Sequence, residues 1–251
     1  MTKRKYGSAF YTNLQKSVDP SAREIVPLLI KWFHPRSVVD YGCGTGNWLA
    51  SFKNCGVETI LGFDGEWVSE EQLMIDKNEF RRCDLSVAPF VDLHFDMAIC
   101  LEVGEHLPEA AAARLVDALT TASSIVIFSA AIPFQGGSSH VNEQWPEYWA
   151  ELFASRRFRV LDILRPTVWN DPQVEPYYAQ NMLAFIGPSR FEEFKGLATS
   201  DVDYGLTRIH PALWESKMVE ASDFSRLGTL QLLRALPHSV ARSLRARFGT
   251  R

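Results

Sequence analysis

The chain has 251 residues, of which 46% are hydrophobic, so it can bury the core of one large α/β domain or of a domain with a small appendage. Its formal net charge of −4 argues against a nucleic-acid partner, because nucleic-acid binders carry a basic excess. The sequence has no apolar run of about 18 residues and no apolar signal-peptide core near its first residue, so we expect a cytoplasmic protein without a transmembrane segment. Its four cysteines form no C-x-x-C pair, which favours free thiols.

Apolar periodicity predicts the elements in chain order. Residues 20–33 space their apolar side chains as a helix does. Strands are then predicted, with helical patterns between them, at residues 37–41, 59–63, 95–101 and 124–129. Residues 146–158 are typical of a helix, and residues 160–169 and 181–188 of late strands. Strands that alternate with helices indicate a doubly wound α/β fold with a mostly parallel sheet and helices on both faces.

The segment VVDYGCGTGNWL, residues 38–49, places three glycines between a predicted strand and a predicted helix. Glycine accepts positive φ and lets a ligand come within contact distance of the backbone, so the turn is a candidate ligand cradle. A dinucleotide fingerprint, G-x-G-x-x-G, would place its third glycine at position 47, which is Asn47, whereas the third glycine here is Gly46. The spacing favours a ligand without a pyrophosphate, and a tight turn that binds nothing is the simpler alternative.

Acidic residues follow the next strands of the predicted sheet. In an open parallel sheet, ligands bind beyond the carboxyl ends of the strands. Asp64 comes after the second predicted strand, where an acid can accept hydrogen bonds from both hydroxyls of a ribose. Asp84 stands beside Leu85, where a carboxylate could meet the edge of an adenine. Each acid alone could also be a helix cap or a solvated loop charge, but their order along the chain makes a shared site the better interpretation.

Two further polar groups follow the later strands. Glu102, Glu105 and His106 come directly after residues 95–101, and His140 and Glu143 lie in a glycine-containing loop after residues 124–129. Loops at this edge carry function more often than stability. These five side chains offer oxygen and nitrogen ligands, so a catalytic metal is an open alternative. Their separation gives no metal-binding signature such as H-E-x-x-H, and the sequence therefore predicts no metal.

Four segments carry a resemblance to a known family. They are VVDYGCGTGNWL, LGFDGEWV, FDMAICLEVGEHLP and FSAAIPFQGGSSHVNEQWPEYWAELF. They resemble the class I S-adenosylmethionine-dependent methyltransferases, in particular a bacterial group that has GHVNEQWP in the loop after strand five. That group is similar to methyltransferases acting on sugars, glycan precursors and natural products. The resemblance covers roughly residues 20–190 and implies a Rossmann-like, seven-stranded sheet with one antiparallel strand.

The resemblance also implies a cofactor, S-adenosylmethionine, and roles for the residues that match the motifs. It places the methionine part of the cofactor beside Asp40, Gly42, Cys43, Gly44 and Gly46. It places Asp64 on the ribose, Asp84 and Leu85 at the adenine, and Glu102 behind the sulfonium.

A hydroxyl acceptor needs a base, and His140 is the preferred candidate because its loop faces the expected cofactor edge and histidine titrates near neutral pH. Substrate hydrogen bonding or loop closure is the alternative role of His140. His106 is the second candidate, with a structural role as its alternative, and Glu143 could orient His140 or bind a substrate amine. The candidate acceptor contacts, each with packing or a disordered terminus as the alternative, are Tyr11, Trp145, Tyr178 and Asn181.

The sequence therefore predicts a small-molecule O-methyltransferase, with a sugar or glycan precursor as the favoured acceptor. Transfer to nitrogen or to a phosphonate or carboxylate oxygen in natural-product biosynthesis is the nearest variant. A NAD-dependent oxidoreductase and a non-catalytic binding module are the more distant alternatives. The sequence predicts no particular oligomeric state.

Three regions are expected along the chain. Residues 1–19 are predicted to form a lid, residues 20–190 the cofactor-binding domain, and residues 191–251 a helical extension. The extension ends in an Arg-rich tail, which carries six arginines and no acidic residue from position 225 onward. A basic amphipathic tail could contact a membrane surface or an acidic partner, and a solvated terminus is the simpler alternative.

Overall fold

The computed structural model describes residues 8–87, 94–195 and 205–223, with side chains from residue 18 onward. Of the predicted lid, only the backbone from Ser8 and the side chains of its last two residues are therefore described. The side chain of Tyr11 and the Arg-rich tail lie outside the described residues. Within the described part of the chain, no helix is long and apolar enough to span a membrane.

The described residues contain one seven-stranded sheet. Its strands are β1 Ser37–Tyr41, β2 Thr59–Asp64, β3 Phe80–Arg82, β4 Met97–Leu101, β5 Ile125–Ser129, β6 Arg159–Leu161 and β7 Leu183–Ile186. Their order is β3-β2-β1-β4-β5-β7-β6. β7 runs antiparallel to both of its neighbours, whereas the other pairs are parallel. This arrangement confirms the predicted fold class with one antiparallel strand.

Helices connect the strands. They are α1 Ser8–Phe33, α2 Asn47–Asn54, α3 Glu109–Ala122, α4 Pro146–Ala154, α5 Leu164–Val168, α6 Pro176–Asn181, α7 Phe191–Phe194 and α8 Pro211–Ser222. Single 3-10 turns occur at Glu70–Gln72, Lys77–Glu79, Gly104–His106 and Pro188–Arg190. The chain divides into two compact units, residues 1–210 and residues 211–251, and α8 is the described helix of the second unit.

Both faces of the sheet are covered, because apolar side chains alternate between two cores. Val38 of β1 belongs to the core that includes Ile25 of α1 and Phe52 of α2. Its neighbour Val39 belongs to the opposite core, with Leu115 of α3 and further residues of α4. Successive side chains of a strand point to opposite faces, so a strand between two helical layers is apolar throughout. Such runs are what made the central strands recognisable in the sequence.

Two predicted elements differ from the structure. The strand predicted at residues 160–169 is wrong beyond Leu161, where β6 ends and α5 soon follows. Pro166 explains the difference, since proline cannot donate to a sheet ladder but fits the first turn of a helix. The helix predicted over residues 20–33 begins earlier, at Ser8. β3 was not predicted as a strand, because its three residues, FRR, are too few and too polar to show a periodicity.

Candidate active site

A cleft of about 330 Å³ lies beyond the carboxyl ends of β1, β2 and β4. The chain passes from β1 outward to β2 and β3 and then returns to β4 beside β1, which makes this edge the switch point where ligands of such sheets bind. All but one of the predicted cofactor residues line the cleft, namely Asp40, Gly42, Cys43, Gly44, Asp64, Asp84, Leu85 and Glu102. Gly46 is the exception, and it stands at the N-terminus of α2.

Two glycines of the turn after β1 are required by its geometry. Gly42 has a φ of +94°, and a Cβ there would lie 2.3 Å from Cγ2 of Val103. Gly46 has a φ of +88°, and a Cβ there would lie 2.9 Å from Cγ1 of Ile75. Positive φ and lack of space both exclude larger residues. Gly42 and Gly44 line the cleft, so the turn brings backbone without side chains to its wall, where a ligand can come close.

Asp64, at the end of β2, is held by the glycine turn. Its Oδ2 accepts the Gly44 N–H at 2.7 Å, and its Oδ1 accepts the Gly65 N–H at 2.6 Å. Burial raises the pKa of Asp64, while these bonds and a hydrogen bond with the Trp67 side chain lower it. A carboxylate has about four lone-pair sites, so these partners leave capacity for a ligand hydroxyl.

Carboxyl groups dominate the charge of the cleft. Five of its lining residues carry one, namely Asp40, Asp64, Asp84, Glu102 and Glu105. Among the described residues that line it, no lysine or arginine is present. Burial, followed by the charge of Asp64, holds the pKa of Asp40 well above its usual range. Complementary charge favours a cationic ligand such as a sulfonium and opposes a pyrophosphate.

Glu102 follows β4 in a strained conformation, with a φ of +54°. Its carboxylate accepts hydrogen bonds from Nδ2 of Asn181 at 3.1 Å and from Nε2 of Gln135 at 3.3 Å. Non-glycine residues with such a φ persist where the surrounding structure imposes it, often at functional sites. Asn181 does not itself line the cleft and lies behind Glu102, and the acceptor contact that the sequence predicts for it stays a prediction.

The three predicted catalytic residues come together at one side of the cleft. Nδ1 of His140 lies 2.9 Å from Oε1 of Glu143, and the imidazoles of His140 and His106 are edge to face with centroids 4.8 Å apart. The Glu143 carboxylate also accepts the N–H groups of Phe134 at 2.9 Å and of Gly136 at 2.7 Å. Both histidines line the cleft, whereas Glu143 stands behind His140. Glu143 is thus placed to orient His140.

The predicted acceptor contacts are only partly brought together. Tyr178 lines the cleft and is buried, and its hydroxyl accepts a 3.4 Å hydrogen bond from Nε1 of Trp48. Trp145 is 39% exposed, precedes α4, and is not among the residues that line the cleft. The sequence did not indicate a ligand contact for several lining residues, among them Thr45, Trp67 and Gln135. Trp67 had a usable signal, since it stands three residues after Asp64, whereas Gln135 had none.

Comparisons with known proteins agree with this geometry. The family model described as a methyltransferase domain matches residues 14–165. A protein of Oryza sativa subsp. japonica named "Probable tocopherol O-methyltransferase, chloroplastic" is 32% identical in an alignment of 83 positions that covers 30% of this chain and 23% of that protein. Human N-acetylserotonin methyltransferase in complex with SAM superimposes with a TM-score of 0.51 and 13% identity, over 71% of this chain and 55% of that one.

A second structure supports the same fold. An O-methyltransferase family protein from Burkholderia thailandensis superimposes with a TM-score of 0.51 and 9% identity, over 73% of this chain and 61% of that one. The chain spans at most 61% of the length of these three proteins. The family match covers more than half of the chain, and the cleft, lined by five carboxyl groups and no lysine or arginine among its described residues, fits a cationic group such as a sulfonium. The chain therefore belongs to the methyltransferase-domain family.

Proposed function

We propose that the protein methylates a hydroxyl group of a small molecule, a sugar or a glycan precursor. The observation that carries the proposal is the pair formed by His140 and Glu143 at the side of the cofactor cleft. A nucleophile that must lose a proton needs such a base, oriented by a third group. Membership of the bacterial group with the GHVNEQWP loop is part of the same proposal.

In this proposal, different walls of the cleft bind different parts of the cofactor. S-adenosylmethionine supplies a methyl group bound to a sulfonium, which is already a strong electrophile. The glycine turn at residues 42–46 receives the methionine part, and Asp64 accepts the ribose hydroxyls. Asp84 and Leu85 stand at the adenine. Glu102, fixed by its amide partners, stands behind the sulfonium.

His140 takes the proton of the acceptor. A carboxylate only accepts hydrogen bonds, so Nδ1 of His140 donates to Glu143 and the lone pair of Nε2 is left for the acceptor. Bound S-adenosylmethionine would supply the methyl group and leave as the neutral thioether, and Nε2 of His140 would take the hydroxyl proton of the acceptor. Alignment of the acceptor supplies much of the rate, and the base adds about 10²–10⁴-fold.

The charge of the cleft favours a neutral acceptor over an anionic one. The described lining residues include five carboxyl groups and no lysine or arginine, so they offer a phosphonate or a carboxylate no guanidinium or ammonium partner. Glu143 already accepts three hydrogen bonds, which leaves it poorly suited to bind a substrate amine. Tyr177 lines the cleft, and its ring offers an apolar face, one of the features that a sugar uses. The mild negative net charge further favours an acceptor other than a nucleic acid.

The first residues of the chain are proposed to cover the cofactor, as the lid over residues 1–19 that the sequence predicts. Val18 in α1 lines the cleft, and Asp19 accepts a 2.6 Å hydrogen bond from Nδ2 of Asn47. A closed lid would exclude water from the reaction. We also retain residues 20–190 as the cofactor domain and residues 191–251 as an extension.

Parallel calorimetric titrations with S-adenosylmethionine, S-adenosylhomocysteine and NADH test the cofactor part of the proposal. We expect micromolar affinity for the two sulfur compounds and no heat with NADH, because the cleft suits a sulfonium and not a pyrophosphate. A panel of free sugars and sugar nucleotides, assayed for S-adenosylhomocysteine release, then tests the acceptor class. Methylation of amines or carboxylates but of no sugar would overturn the sugar assignment.

Replacing Asp64 by alanine should weaken the binding of S-adenosylmethionine by about 1–3 kcal/mol, because ribose hydroxyls lose a buried acceptor. Calorimetry on the purified variant measures the loss. Glu151→Ala, which removes an exposed carboxylate of α4, is the matched control and should bind as the original chain does. Unchanged affinity of Asp64→Ala would remove Asp64 from the cofactor site.

A further inference from the structure

Three side chains with metal-binding atoms meet at one side of the cleft. Glu105, His106 and His140 each place one donor atom within 4.8 Å of the other two. The 3-10 turn after β4 carries the first two residues, and the Glu105 carbonyl accepts the N–H groups of Val141 at 2.8 Å and of Asn142 at 3.0 Å. These backbone hydrogen bonds fasten the loop of His140 to that turn. The cluster is therefore built into the fold.

Glu105 is completely buried, yet neither of its carboxylate oxygens has a hydrogen-bond partner of good geometry among the described residues. The Glu102 carboxyl and the backbone at Ala131 are near enough to influence its pKa, which burial holds well above the usual range. Buried polar groups are normally paired with protein, with water or with an ion. Since Glu105 also lines the cleft, it indicates a ligand that the chain does not itself supply.

His140 is oriented as a metal-bound histidine is. Its Nδ1 donates to Glu143, whose carboxylate is in turn held by two backbone N–H groups. Histidines that bind metals usually donate their other ring N–H to a carboxylate or a carbonyl, which fixes the tautomer and makes the free nitrogen a better ligand. The free nitrogen of His140 is Nε2.

We propose that Glu105, His106 and His140 bind one divalent transition-metal cation. Two imidazoles and one carboxylate suit Mn²⁺, Fe²⁺, Co²⁺ or Zn²⁺, whereas Mg²⁺ and Ca²⁺ prefer oxygen ligands. Ligand atoms stand about 2.0–2.2 Å from such a cation, so binding would draw the three side chains closer together. The sequence predicted no metal because these ligands come from two loops, without a single spaced motif.

The cation would change one step of the proposed methyl transfer, namely how the acceptor loses its proton. This effect of the cation rests on the proposed function. A hydroxyl bound to a cation loses its proton more readily. With Nε2 of His140 on the cation, the cation would acidify the acceptor in place of the imidazole, and the proton would pass to bulk water. Two adjacent hydroxyls, as in a sugar, could both bind the cation through its open positions. The cation site therefore favours an acceptor with a vicinal diol.

Titration of the full chain with Co²⁺, followed by calorimetry and by visible absorption, tests the site. We expect one cation per chain. Glu105→Gln and His106→Gln should each weaken binding by more than about 100-fold, and Glu143→Gln by about 10–100-fold, as loss of an outer partner does. His94→Gln, which removes an exposed histidine outside the cluster, is the matched control and should bind as the original chain does.

The proposal is overturned by the absence of saturable binding, by full affinity in both Glu105→Gln and His106→Gln, or by loss of binding in His94→Gln. His106 is partly exposed, so its variant reports on the site even where Glu105→Gln alters folding. Titration of the same samples with S-adenosylmethionine separates the two hypotheses. Binding of S-adenosylmethionine without binding of Co²⁺ would disprove only the cation site. Binding of Co²⁺ without binding of S-adenosylmethionine would disprove the cofactor assignment.

Discussion

Replacing His140 by alanine should leave the affinity for S-adenosylmethionine nearly unchanged and lower turnover by about 10²–10⁴-fold. The reason is that the imidazole stands at the proposed acceptor side of the cleft, while the cofactor contacts assigned above come from the carboxyl ends of β1, β2 and β3 and from Glu102 after β4. Calorimetry gives the affinity for the cofactor, and initial rates with a methylated acceptor give the turnover number. The loss is expected whether Nε2 accepts the acceptor's proton directly or binds a cation that acidifies the acceptor.

The control is His94→Ala, which removes an exposed histidine outside the cleft and should retain full turnover. Dependence on a cation separates the two roles of His140. If it is a base, the turnover of the original chain should survive removal of divalent cations by a chelator. If it is a ligand, turnover should vanish with the chelator and return with Co²⁺ or Mn²⁺. A loss of cofactor affinity in His140→Ala would contradict both roles.

Replacing Arg165 by methionine should lower the free energy of unfolding by about 3–5 kcal/mol. Arg165 is 1% exposed and forms two hydrogen bonds with the carboxylate of Asp162, which is also buried. Its guanidinium further donates to the Leu206 carbonyl at 2.6 Å. Methionine fills the volume but leaves the buried Asp162 carboxylate with a weaker partner, Arg208, which lies at 3.3 Å and is 41% exposed. Urea denaturation measures the change.

Two further variants make this stability prediction specific. Adding Asp162→Leu to Arg165→Met should restore most of the lost stability, since exchanging a buried ion pair for apolar residues is often neutral. Arg36→Met breaks an exposed pair with Glu58, and it should produce no measurable change. Equal effects of the two single arginine variants would show that burial of the Arg165 pair carries no special energetic weight.

The charge of the cleft connects the cofactor to the acceptor chemistry. The carboxyl groups at Asp40, Asp64 and Glu102 suit the positive charge of a sulfonium, which disappears when the methyl group leaves. A cation held by Glu105 and the two histidines would balance the remaining negative charge beside them. Both proposals therefore use the same feature, a concentration of buried carboxyl groups at the switch point of the sheet.

The elements most reliably predicted were those with a strong local signal. The predicted strand at residues 37–41 and the observed β1 have the same bounds. Val38 and Val39 mark a strand that is buried on both faces, and the glycine turn that follows marks its end. The segment after Leu161 was mispredicted, since the apolar residues of ILRPTVW fit either a strand or a buried helix. Its helical state depends on Pro166 and on the buried ion pair between Arg165 and Asp162. The hydrogen bond from Arg165 to the Leu206 carbonyl joins residues far apart in the chain, so the apolar periodicity of the segment does not reveal it.

For this protein the sequence by itself determined the fold class, the glycine turn and the order of the acids that follow the strands. These features are local: strands buried on both faces need apolar runs, and positive φ needs glycine. Only the tertiary structure decided which polar residues share one site. It set Asn181 behind Glu102, kept Trp145 out of the cleft wall, and joined Glu105 and His106 to His140. The physical reason is that these contacts depend on how parallel strands and their loops meet at one edge, a geometry that sequence spacing does not encode.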